Sequence, residues 1–102
     1  MPTFLMISKH STADCPIHNG KMRKLFMDAM KKSEELNKKI GAKDIGSWVD
    51  MPTHTIYNLI EAPSAEAFQK TMMDPIIMEW IGHNETEIKM VMATEEVMKM
   101  LK

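Results

Sequence analysis

A single cysteine in 102 residues cannot close a disulfide within the chain, so no covalent staple holds this fold. Charge of either sign is not in excess. Thirteen basic residues face fourteen acidic ones for a formal net charge of -1, which leaves no field to draw nucleic acid or an anionic membrane. No apolar run approaches the ~20 residues that span a bilayer. The opening "MPTFLMISKH" lacks the basic region, long apolar stretch and small-residue cleavage site of a signal peptide, and a cytoplasmic location is the expectation. Internal repeats, linkers and low-complexity segments are missing. So are paired catalytic acids, a Gly-rich phosphate loop and a nucleophile-base motif, and no named reaction is legible. What remains, 44% hydrophobic and 26% charged residues, is the composition of one globular domain spanning 1–102.

The hydrophobic pattern orders that domain. "TFLMISK", Thr3 to Lys9, is apolar on both parities, as a strand buried on both faces would be. Met22, Leu25, Phe26, Ala29, Met30, Leu36 and Ile40 recur at three- and four-residue steps, which predicts a long helix stopped by Gly41. Asp44 to Asp50 alternates, Pro52 turns the chain, and His54 to Glu61 is again apolar on both parities. "APSAEAFQKTMM" is a second helix with Ser64 as N-cap, interrupted at Asp74-Pro75 and followed by a short helical turn ending at Gly82. Glu85 to Met92 forms a fourth strand. Thr94 would cap a short terminal helix.

The order βαββαβ predicts an α+β, ferredoxin-like fold: a four-stranded antiparallel sheet with strands one and three central. Two helices cover one face of such a sheet. The other, with apolar groups from the central strands, needs its own cover, so a homodimer closed face to face is expected. The alternative is a monomer using its tail helix as a lid. The 13 methionines fall on strand and helix core positions and read as packing, with a soft-metal thioether site as the alternative.

Three phrases, "MPTFLMI", "GSWVDMPTHTIYNLIEAPSAEAFQK" and "NETEIKMVMATEEV", resemble the dimeric α+β barrel superfamily, nearest to its small nickel-binding or uncharacterised members. The resemblance implies a homodimer whose barrel could enclose a small ligand. It also implies metal ligands among histidines near the end of the first strand and in the later half, positions answered here by His10 and His83. The superfamily holds cofactor-free monooxygenases, haem-degrading enzymes, isomerases and metal binders, among which fold does not choose.

"SKHSTADCPIHNGK" is the densest chemistry in the chain. With strand four antiparallel beside strand one, His10 and His83 should meet at one end of the sheet, under a loop carrying Cys15 and His18. Imidazole and thiolate donors suit zinc, nickel or copper, which makes His10, Cys15, His18 and His83 a candidate metal set, with nickel or zinc the expected ion. His54 is expected to start its strand at the opposite end and to stay apart. Two other readings stand beside this one. His10 could face a barrel pocket as a general base or haem ligand of a monooxygenase- or isomerase-like enzyme. Alternatively, Cys15 could act as a redox thiol, activated as the N-cap of a helix begun at Pro16; Asn19 is the competing cap.

Overall fold

The computed structural model describes residues 1–102. Strands β1 (Thr3–His10), β2 (Lys43–Asp50), β3 (Thr55–Glu61) and β4 (Asn84–Val91) form one antiparallel sheet in the order β2-β3-β1-β4. This is the ferredoxin-like arrangement, and it places the two doubly apolar strands at the centre. Helices α1 (Gly20–Ile40), α2 (Ala65–Met72) and α3 (Pro75–Gly82) pack on the sheet, and α4 (Thr94–Met100) follows β4. None of the helices is long and apolar enough to cross a membrane.

Local chemistry sets the helix ends. The Asn19 side chain accepts from the Met22 amide, so α1 starts at Gly20, and Cys15 is not its cap. Gly41 closes α1 in the left-handed region at φ 76, where a side chain would be strained. Ser64 accepts from the Ala67 amide to begin α2. Asp74 accepts from both Ile76 and Ile77 to begin α3, with Pro75 inside the first turn. At α4 the cap position belongs to Ala93 and carries no side-chain bond, which corrects the expectation of a Thr94 cap.

Register separates the two faces. Phe4 pairs with Ile60, Met6 with Asn58 and Ser8 with Ile56; these side chains face the helices. There Phe4, Met6, Ile60, Ala62 and Phe68 form one cluster, and Met22, Ala29, Ile56 and Trp80 another. Leu5 pairs with Leu59, Ile7 with Tyr57 and Tyr57 with Trp48 on the opposite face, which no helix of the chain covers. Trp48 is 56% exposed there and lies over Gly46, where a Cβ would meet its ring at 2.6 Å. Ile45 is the extra residue of a bulge between Asp44 and Gly46, which breaks the simple alternation of β2.

The methionines correct the packing reading. Met6 and Met22 are buried, whereas Met27, Met73, Met78, Met90, Met98 and Met100 stand exposed. Helix α4 has no buried residue at all.

Candidate metal centre

Both neighbours of β1 run antiparallel to it. Its last residues therefore meet the first residues of β3 on one side and of β4 on the other: Lys9 pairs with Thr55, and His10 with Asn84. That geometry brings His54 to His10 and overturns the expectation that it lies at the far end of the sheet. The His10 amide donates to the His54 carbonyl at 3.2 Å, and the two rings stand edge to face with centroids 5.4 Å apart. His54 adopts φ 53, the one non-glycine residue of the chain with positive φ. A left-handed backbone at such a residue costs roughly 1–2 kcal/mol and marks a constrained turn.

The loop before α1 folds back over this corner. Asn19 donates through Nδ2 to the Ala13 carbonyl. Arg23 donates from Nε to the Pro16 carbonyl at 3.0 Å and from its terminal nitrogen to the Ile17 carbonyl at 2.8 Å. The Cys15 carbonyl accepts from His18 and Asn19. Held at both ends, the turn drives the Cys15 side chain inward until the residue is only 3% exposed.

The result is a His10–Cys15–His54 cluster whose ligand atoms all lie within 4.8 Å of one another. The three groups share a chamber of ≈ 130 Å³ lined also by Pro16, Ile17, Phe26, Val49, Met51 and Ile56. His10 is 7% exposed, and neither ring nitrogen has a hydrogen-bond partner. An unsatisfied buried polar group typically costs about 1–3 kcal/mol, so an imidazole left bare on both sides calls for a partner. Burial holds its pKa below the ordinary histidine value, and the neighbouring His54 pushes the same way. The Asn84 side chain and Asp14 pull upward more weakly. The Asn84 oxygen is itself buried and unpartnered, so its approach to His10 is not a formed hydrogen bond. The neutral imidazole favoured here is the form that donates a lone pair to a metal. The donor set therefore fits a transition-metal ion.

The other two sequence candidates lie outside this three-residue cluster, although His83 borders a hollow that His10 also lines. His18 is exposed on the outside of the loop. His83 follows α3 and holds Nδ1 3.5 Å from the Asp14 carboxylate. It lines a separate polar hollow with Asp14, Asn84 and Glu85, and that hollow meets the chamber only at His10. His10 projects to the helix-covered face with Ser8 and Asn58, whereas Tyr57 projects to the open one. It does not face the side on which a second sheet would close a barrel. The chamber is smaller than the roughly 300–1,000 Å³ typical of small-molecule sites, whereas the polar hollow on the other side of His10 measures ≈ 420 Å³. Cys15 also lacks the solvent exposure that a redox thiol uses.

His54 was missed; the signal that could have found it is its place at the start of a strand antiparallel to β1, just after the "MPT" turn. Met51, in that same turn, carried no separate signal.

Residues 3–102 match the family described as "Domain of unknown function (DUF3303)". No curated protein matches the chain. Among solved structures the chain is similar to SCO4226 from Streptomyces coelicolor A3(2), at 25% identity and a TM-score of 0.51, over 87% of this chain and 94% of that one.

Proposed function

The chain belongs to the DUF3303 family, and we propose that it binds one transition-metal ion, as a carrier or sensor, through His10, Cys15 and His54. The observation that carries this reading is the convergence of two imidazoles and a buried thiol within 4.8 Å, with both nitrogens of the central imidazole unpartnered. Nitrogen and sulfur donors in that number suit nickel, zinc or copper better than magnesium or calcium, which take oxygen. Metal uptake would remove the thiol proton and satisfy His10, so binding and folding of this corner should be linked.

Metal titration by calorimetry tests the reading. The parent should bind one equivalent, His10→Ala, His54→Ala and Cys15→Ser should each lose at least about a hundredfold in affinity, and His18→Ala should match the parent. A parent that binds no nickel, zinc or copper overturns it.

A further inference from the structure

We propose that the ion this corner selects is univalent copper, with the Met51 thioether as a fourth, weak donor. The inference rests on the metal-site reading and deepens it.

Charge is the first argument. Two neutral imidazoles and one thiolate sum to -1. Copper(I) brings that to zero, whereas nickel(II) or zinc(II) leaves a net positive charge. The chamber lining itself supplies no carboxylate to offset that charge: apart from the three donors and Met51 it is apolar. Asp14 acts on His10 only from the other hollow, where its carboxylate lies 3.5 Å from His83 Nδ1. A buried net charge with no opposite charge in the lining is costly, which favours the univalent ion over a divalent one.

Coordination number is the second. Zinc sites close at four ligands, and nickel(II) adopts tetragonal sets of nitrogen and oxygen. Here a fourth hard ligand would have to be water, with no polar side chain of the chamber left to hold it. Copper(I) accepts three donors, and it takes thioethers where harder ions do not.

Met51 supplies that thioether. It lies in the turn Met51–His54, which is closed by the His54 amide donating to the Met51 carbonyl at 3.2 Å, so one turn carries both Met51 and His54. It lines the same chamber as the three strong donors, yet it is exposed at the rim and contributes to neither core cluster. A methionine that is not packed in the core but borders a His–Cys–His cluster has a ligand's placement.

The test uses the full chain, reduced and anaerobic, titrated with copper(I) against a chromogenic copper(I) chelator and separately with zinc(II) and nickel(II). One equivalent of copper(I) should bind and should resist displacement by equimolar zinc or nickel. Met51→Leu preserves volume and should leave far-ultraviolet circular dichroism unchanged. It should weaken copper(I) about tenfold and leave zinc unchanged. If zinc or nickel displaces copper(I), or if Met51→Leu leaves copper(I) affinity intact, the copper inference fails while the metal site stands. If the parent binds none of the three ions, both fail together.

Discussion

The His10 amide donates to the His54 carbonyl at 3.2 Å, immediately beyond the Lys9–Thr55 pair that ends the β1–β3 ladder. A loop-borne pair would depend on loop order for its spacing. Here His10 ends a central strand, which is the support a metal ligand needs, and His54 sits in the turn bonded directly to it, immediately before β3. Cys15 reaches the site from the loop before α1.

The backbone of His54 separates its structural from its ligand role. His54→Gly relieves the positive φ but frees the unfolded chain, two effects of similar size. Its thermal midpoint should lie within a few degrees of the parent's while metal affinity collapses. His54→Val places a β-branched residue in the left-handed region and should lose about 1–2 kcal/mol of stability in addition. Thermal denaturation of the metal-free proteins, followed by metal titration, checks both.

The pH dependence of the metal-free fold follows from His10. Its pKa in the folded state lies below the unfolded value of 6.5. As pH falls through 6.5 the unfolded chain takes up a proton that the folded chain refuses, so stability should decline from about pH 7.5 downward until the folded pKa is passed. Urea denaturation at pH 8 and pH 5.5 should show the loss, and His10→Gln should flatten it. Equal pH sensitivity in the parent and the variant would count against burial of this ring.

Arg23 is a positioning residue. Its two hydrogen bonds, to the Pro16 and Ile17 carbonyls, hold the turn immediately after Cys15. Arg23→Lys keeps the charge but loses the planar two-nitrogen fork. Metal affinity should fall about tenfold with the stoichiometry retained and little change in thermal stability. A loss of stability equal to the loss in binding would show that Arg23 serves the fold alone.

The open sheet face should pair two copies of the chain. Leu5, Ile7, Tyr57, Leu59 and Trp48 form an apolar patch that no helix of the chain covers, and α4 leaves Val97, Met98 and Leu101 exposed as well. Sedimentation equilibrium should return twice the 11.7 kDa chain mass. Trp48→Lys should shift the population to monomer, because an ammonium desolvated in the patch finds no partner. Monomer mass for the parent at micromolar concentration would refute the pairing.

The sequence alone determined the element order, the central placement of β1 and β3, and the Gly41 and Ser64 boundaries. Periods of 2.0 and 3.6 and the conformational limits of single residues are local properties, readable without knowing what lies across the sheet. It also singled out His10 and Cys15, because donor residues crowded into one loop are visible as spacing. The tertiary structure decided which partners they meet. His54 is forty-four positions from His10 in the chain, and only the antiparallel pairing of β1 with β3 makes them neighbours. His18 was eight positions away, yet it lies exposed in the turn closed by its own amide on the Cys15 carbonyl. The exposed methionines have the same origin. Apolar spacing tells which residues share a face of an element, but how far three helices extend over a four-stranded sheet is settled only when they pack, and here Met90 and Met98 lie beyond their edge.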